Sequence, residues 1–341
     1  MKYPAISVLG ELKSWLEESD NQELELAIIR AQTENPWFTS QNSNQALEAI
    51  CEEYLDTGKL ETWLSKYPSL PVESTKKIGL IMAGNLPVVG FHDLLCVLVT
   101  GHSALVKLSA KDMVLPKLFI EKLKDFDKSL DSRIQIMERL TGFDAVIATG
   151  SNHSARYFHQ YFGSYPHIIR GNRNGVAILR GEESPAELKA LGKDIFRFFG
   201  LGCRNISKVY VPEGYDFEPL LKILDHYQQI MLHPKYRNNY EYNFAALVIN
   251  REQYMKNACV ILLENEAIPS RIATLHYSYY RNGKELTRQL QEHFNEIQCI
   301  VASGPTWPFP TIKFGQTQKP SLDDYADGID TMQFLSQLNK T

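Results

Sequence analysis

From residue 1 to about 70, apolar residues recur at helical spacing in ELKSWLEE, ELELAIIRA and ALEAICEEYL, which predicts a helical segment over 1–75. The Pro/Ser stretch PSLPVEST breaks that period and reads as a hinge. At Lys76 the pattern changes. IGLIMAG is a short apolar run ending in small residues, and VVGFHDLLCVLVTG has the length and spacing of a helix. SALVKLS with VLPKLFIEKLKDF, and DAVIATGS with SARYFHQYF, repeat the pair, so three buried strands alternate with helices. Such alternation predicts a doubly wound parallel sheet with right-handed crossovers. HIIRG and GVAILRG read as two further strands around a polar GNRN turn, and a helix from about Pro185 to Phe199 ends in GLGC before the strand SKVYVP. The remainder mixes the helices FEPLLKILDHYQQIM and KELTRQLQEHF with the strands FAALVI and QCIVAS, and LHYSYYRNG reads as an amphipathic strand. The expected class is α/β, with one α/β domain over 76–182, a second over 183–315 and a C-terminal segment over 316–341.

Composition narrows the function classes. A chain of 341 residues that is 44% apolar can bury a large core. Its formal net charge of -4 arises from interspersed acids and bases, and no basic stripe follows a phosphate backbone, so nucleic acid is not an expected partner. The opening MKYPAISVLGELKSWLEESD has no basic start followed by an apolar run, and no stretch reaches about 18 apolar residues, so neither secretion nor a membrane span is expected. Five cysteines, Cys51, Cys96, Cys203, Cys259 and Cys299, are widely spaced without a CxxC pair, as in reduced thiols of a cytoplasmic protein. His92, His102, His153 and His159 show no metal-ligand pattern, and no metal is expected.

In an open parallel sheet, ligands sit beyond the carboxyl ends of the strands, where this sequence holds AGNLP, KLSAKD and ATGSNHS. None is a GxGxxG fingerprint. Gly150 and Ser151 at a strand-to-helix turn could receive a phosphate on backbone N–H groups, or serve simply as a turn. Asn85, two residues before Pro87, could donate its amide to a developing oxyanion or cap a turn. Two glycines precede Cys203 in GLGC, giving close access to a thiol whose pKa the following Arg204 could lower; the alternative is a buried cysteine at a helix-to-strand junction.

Taken in order, a strand ending in Asn-x-Pro, one ending in Lys, one ending in Gly-Ser and a Gly-x-x-Cys after a helix resemble the aldehyde dehydrogenase superfamily. IGLIMAGNLPVVGFHDLLCVLVTGHSALVKLSAKD, FDAVIATGSNHSARYF, IIRGNRNGVAIL and FFGLGCRNISKVYVP resemble its acyl-CoA reductase branch, the fatty acid reductase type of bacterial luminescence, over roughly residues 75–215. The tail KFGQTQKPSLDDYADGIDTMQFL is similar to the end of that branch. The resemblance implies a Rossmann-type nucleotide-binding domain and a catalytic domain with a nucleophilic cysteine. It makes Cys203 that nucleophile and Asn85, with the Cys203 N–H, the oxyanion donor. Lys107 would hold the adenosine ribose and Gly150 and Ser151 the pyrophosphate, with Ser109 also in the cofactor site. The implied reaction is NADPH-dependent reduction of an acyl-CoA or acyl-carrier thioester to an aldehyde through an acyl-Cys203. An acyl-phosphate reductase, a cofactor-independent Cys acyltransferase and a non-catalytic synthetase subunit are the rival readings, and homo-oligomer or synthetase complex stays open.

Two departures refine this expectation. Where aldehyde dehydrogenases carry a water-activating Glu in an ELGGK-like segment, IIRGNRNG offers Ile169 and Arg170, so an acyl-enzyme would persist until hydride or another thiol arrives. Three residues after Lys107 the usual carboxylate is replaced by Ala110, with Lys111 beside it, which favours NADPH over NADH. No counterpart of the Glu that meets the nicotinamide ribose is evident near VASGPTWP.

Overall fold

The computed structural model describes residues 5–304 and 307–338. The first four residues of the opening stretch, and Pro305 and Thr306 within VASGPTWP, lie outside the described residues. The chain divides into two compact units: residues 1–172 with 320–341, and residues 173–319.

In the first unit, helices α1 (Ala5–Leu16), α2 (Gln22–Glu34), α3 (Ser40–Glu53) and α4 (Thr57–Ser65) precede the sheet. Asn21, Thr39 and Asp56 start the last three by accepting the N–H of Leu24, Asn42 and Lys59, as N-caps do. There follow β1 (Lys77–Ile81), α5 (Phe91–Thr100), β2 (Ser103–Lys107), α6 (Val114–Phe126), α7 (Leu130–Arg133), β3 (Ile134–Ile136), β4 (Ala145–Thr149), α8 (Asn152–Phe162) and β5 (His167–Arg170). The five strands lie in the order β3-β2-β1-β4-β5, every pair parallel. Strand order reverses between β1 and β4, the switch point where such sheets open a crevice.

The tail returns to this unit and ends in a helix over Thr331–Gln337. Trp63 donates its indole N–H to the Tyr325 hydroxyl at 2.9 Å, and the Tyr67 hydroxyl donates to Asp330 at 2.9 Å. His102 is fully buried, with its Nε2 3.0 Å from the Leu335 carbonyl. At the end of β5, Arg170 donates through Nη1 to both oxygens of Asp93, at 2.8 and 2.7 Å, and through Nη2 to the Thr331 hydroxyl at 2.8 Å.

The second unit contains β6 (Asn174–Ile178), α9 (Pro185–Phe196), β7 (Ile206–Pro212), α10 (Glu218–Leu224), α11 (Pro234–Asn250), β8 (Met255–Lys256), β9 (Ile261–Glu264), β10 (Thr274–Tyr280), α12 (Gly283–Glu292) and β11 (Ile297–Ala302). Its sheet runs β11-β6-β7-β10-β9-β8, parallel except for the β8–β9 pair.

Three expectations are corrected. FAALVI is not a strand but the last part of α11, which His233 caps, Pro234 opens and Arg251 closes in a left-handed conformation. Its buried side chains, Tyr236, Tyr240, Asn243 and Leu247, recur at helical spacing. FEPLLKILDHYQQIM is not one helix, because α10 passes into a 3-10 stretch over Asp225–Leu232. The boundary expected after residue 182 falls after Asn172, since β6 is hydrogen-bonded between β7 and β11, and the tail rejoins the first unit at Pro320 rather than 316. Among the described residues no helix is long and apolar enough to cross a membrane.

The Arg170–Asp93 pair gives a first prediction. Arg170→Ala leaves a carboxylate uncompensated in the core and is expected to cost about 3 to 5 kcal/mol in urea unfolding. A loss below about 1 kcal/mol would show that water reaches Asp93 without its partner.

Candidate active site

Parallel register brings five of the expected residues to one edge of the first sheet. Ile81 stands level with Lys107 on one side and Ala148 on the other, so the loops leaving β1, β2 and β4 emerge together. They carry Asn85, then Lys107 and Ser109, then Gly150 and Ser151. Asn85 is exposed on its loop. Lys107 ends β2 with its ammonium donating to the Glu138 carbonyl at 2.7 Å. Ser109 sits in a short turn that pairs it with Asp112, and its hydroxyl accepts the Lys111 N–H at 3.2 Å. Gly84 approaches this turn so closely that a Cβ there would come within 2.4 Å of the Ser109 hydroxyl oxygen. Ala110 and Lys111 are exposed.

At the third loop the Gly150 N–H is committed to the Arg170 carbonyl at 3.1 Å, so it is not available as the phosphate donor expected of it. Ser151 caps α8, its hydroxyl accepting the Ser154 N–H at 3.2 Å. The start of this eleven-residue helix is where an anion would gain from the backbone dipole.

Cys203 belongs to the second unit, between α9 and β7. Ser184 and Glu187 start α9 with a capping box, Pro185 occupying its first turn. After the helix, Phe198, Phe199 and Gly200 take φ values of 51°, 59° and 75°, a left-handed run that only the glycine adopts without strain. A turn closed by the Asn205 N–H on the Gly202 carbonyl, at 3.0 Å, carries Cys203 and Arg204 at its centre. Gly175 lets β6 meet it: its N–H donates to the Asn205 carbonyl at 2.9 Å, and a Cβ there would lie 2.9 Å from the Arg204 carbonyl oxygen. Arg204 itself is buried.

The five cysteines differ in accessibility. Cys51, Cys96, Cys259 and Cys299 are buried, whereas Cys203 is partly exposed, and none forms a disulfide. Burial pushes Cys51 and Cys259 up to about 12 and Cys96 well above the usual thiol range, which leaves those three as poor nucleophiles.

Two polar residues stand out that sequence reasoning passed over. Asp112 is 3% exposed; one carboxyl oxygen accepts the Val88 N–H at 2.7 Å and the other has no hydrogen-bond partner. Val88 is itself left-handed, with φ 55°, in the loop that carries Asn85. Burial pushes Asp112 up to about 7. Asn205, 1% exposed, spends its side chain on the backbone around Cys203. A carboxylate between Lys111 and Met113, and an asparagine before a strand, read locally as surface and turn residues. Among the described residues no group of three or more His, Cys, Asp or Glu could hold a metal ion.

The fold is that of the aldehyde dehydrogenase superfamily. Aldehyde dehydrogenase 21 from Physcomitrella patens, solved with succinate, is similar with a TM-score of 0.69 and 11% identity over 99% of this chain and 84% of its own. Lactaldehyde dehydrogenase from Escherichia coli gives 0.63 and 12% over 88% and 74%, and the NADP-dependent glyceraldehyde-3-phosphate dehydrogenase from Bacillus halodurans, complexed with NADP, gives 0.62 and 13% over 89% and 79%. No curated protein matches the sequence. Residues 16–259 match the acyl-CoA reductase (LuxC) family, and the chain belongs to it. It is an oxidoreductase acting on the aldehyde or oxo group.

Asp112 supplies a test on stability. With its folded-state pKa raised from 3.8 to about 7, it favours folding when protonated, and that contribution, full below about 4, is lost progressively as pH rises to about 7. The loss from this group is on the order of 4 kcal/mol. Asp112→Asn keeps an acceptor for Val88 and is expected to abolish that part of the pH dependence, being the more stable form at pH 8 in urea unfolding. Parallel losses in both proteins would refute the assignment.

Proposed function

We propose that the protein reduces an acyl thioester, carried by CoA or an acyl carrier, to the aldehyde, with Cys203 as nucleophile. The observation that carries the reading is the contrast among cysteines: in a chain of the acyl-CoA reductase family, Cys203 is the partly exposed one and sits on a turn that follows a strained left-handed run, while the others are buried. Its sulfur attacks the thioester carbonyl, the carbonyl oxygen takes up negative charge, and collapse expels the donor thiol and leaves an acyl-Cys203. Asn85 and the Cys203 N–H are assigned to that oxyanion. Exchange of one thioester for another costs little, so the residues need only orient the reactants.

Water must not be the next nucleophile. In the segment of the ordinary base stand Ile169 and Arg170, neither of which can accept a proton from water, and the Arg170 guanidinium is buried against Asp93 and Thr331. The acyl-enzyme therefore waits. When bound, a nicotinamide supplies the hydride that takes the acyl group to the aldehyde level.

The residues at the carboxyl edge of the first sheet suit such a cofactor. Lys107, Ser109 and the capped start of α8 at Ser151 are the groups to hold it, and the Gly150 backbone shapes the turn between them. NADPH is preferred over NADH in this reading because Ala110 and Lys111 are both exposed there, leaving no carboxylate at 110 to repel a 2'-phosphate.

The covalent step is tested by intact-mass spectrometry. Incubated with acyl-CoA and no NADPH, the protein is expected to gain one acyl mass at Cys203, keep it for many turnover times, and release it as aldehyde when NADPH is added; Cys203→Ala should gain none. Asn85→Ala should form the adduct roughly a hundredfold more slowly. Rapid release of free fatty acid without cofactor, or aldehyde production by Cys203→Ala, would overturn the mechanism.

Nucleotide choice has its own test. Ala110→Glu should lower the ratio of kcat/KM for NADPH over NADH by about tenfold or more, through repulsion of the 2'-phosphate and a bond to a 2'-hydroxyl. An unchanged ratio would place the recognition of the 2'-position elsewhere in the chain.

A further inference from the structure

We infer that Asn205 is a positioning residue for Cys203, acting as a clamp that joins the two ends of the strained segment before the nucleophile. The inference rests on the reading of Cys203 as the acyl acceptor.

The side chain of Asn205 makes hydrogen bonds on both sides of that segment. Its amide nitrogen donates to the carbonyls of Asp194 at 2.9 Å, Ile195 at 3.4 Å and Arg197 at 2.9 Å, which lie before the left-handed run. Its amide oxygen accepts the Gly202 N–H at 2.8 Å, which lies after it. Between those partners stand Phe198, Phe199 and Gly200. Left-handed phenylalanines are costly and persist only where surrounding interactions over-determine the backbone. The carbonyls at the end of α9 have no further helical turn to donate to them, so they need a side-chain partner. One amide satisfies both needs, and its own backbone N–H closes the turn on Gly202 that carries Cys203.

The clamp is itself anchored. Asp194, fully buried, accepts the Gly315 N–H and, through its other oxygen, the Thr317 N–H at 3.2 Å and hydroxyl at 2.9 Å. Asn205 thus grips a helix end that is held in place from its far side. A carboxylate at 205 could not substitute, because it offers no donor to three carbonyls, whereas a protonated carboxyl offers one.

The experiment separates placement of the thiol from its presence. Wild type and Asn205→Ala are compared in two reactions read by peptide mapping: transfer of the acyl group from decanoyl-CoA to Cys203, which needs oriented attack, and alkylation of Cys203 by iodoacetamide, which needs only a thiol. Asn205→Ala is expected to slow acyl transfer by about a hundredfold while alkylation of Cys203 changes less than threefold and NADPH still binds by fluorescence. Acyl transfer at the wild-type rate overturns the inference. If the alanine variant unfolds, exposing Cys51, Cys96 and Cys259 to alkylation, Asn205→Asp decides. Its acyl transfer should recover as pH falls and the new side chain gains a proton, opposite to wild type, which loses thiolate; a profile parallel to wild type overturns the inference. A wild-type protein that takes no acyl group at all defeats the nucleophile reading itself, and the positioning role with it.

Discussion

Because β1, β2 and β4 run parallel, with Ile81 level with Lys107 and with Ala148, the chain must leave all three strands at the same edge. Backbone hydrogen bonds set this register, and the buried strand centres lock it, since both faces are covered and a slip would draw an exposed end such as Lys77 or Lys107 towards the buried centre. Side chains distant in sequence are gathered at that edge without being selected for one another. What selection adds is local: the closeness of Gly84 to Ser109, the bond from Val88 to Asp112, and the cap that Ser151 gives α8. The first two fix the loop after β1 against the turn after β2, and the third fixes the start of α8 after β4.

Those fixtures carry different costs. Asp112 holds a left-handed Val88 through one oxygen and leaves the other without a partner, so the loop bearing Asn85 is shaped at the expense of a buried polar atom. In the second unit the strain falls on Phe198 and Phe199, and hydrogen bonding around it is well provided. Part of the strain and desolvation thus falls beside Asn85 and Cys203, the two positions proposed for bond making.

Elements whose identity depends on their own period were legible in the sequence. β1, β2 and β4 show as short apolar runs with small residues following, and α9 shows through Ser184, Pro185 and Glu187. FAALVI misled because six apolar and aromatic residues fit a buried strand as well as a helix; the deciding signals lay upstream, at His233, Pro234 and the Tyr236–Tyr240 spacing. GVAIL was readable as a strand, but nothing local told which sheet would receive it. The same limit applies to the site. Glycines before Cys203 mark an accessible thiol in sequence, whereas the work of Asn205 appears only when α9 and β7 are brought together. Asp112 likewise owes its raised pKa to burial that only the folded chain creates, against the opposing bond from Val88.

Arg170 shows how a catalytic difference can be embedded in the core. In the aldehyde dehydrogenase pattern this region supplies a carboxylate that activates water; here it supplies a guanidinium that ties β5 to α5 and to the last helix of the tail. The two roles exclude one another chemically. A carboxylate at 170 would face Asp93 across the distance that the ion pair now spans, and two carboxylates in a buried site cannot both stay ionised. One would hold a proton and the other would lose its partner, so a carboxylate could not be placed at 170 without also replacing Asp93 and finding another anchor for Thr331. The guanidinium at 170 is therefore held in place by the stability of the first unit, and under the proposed chemistry the persistence of an acyl-enzyme would rest in part on the fold's packing rather than on one exchangeable side chain.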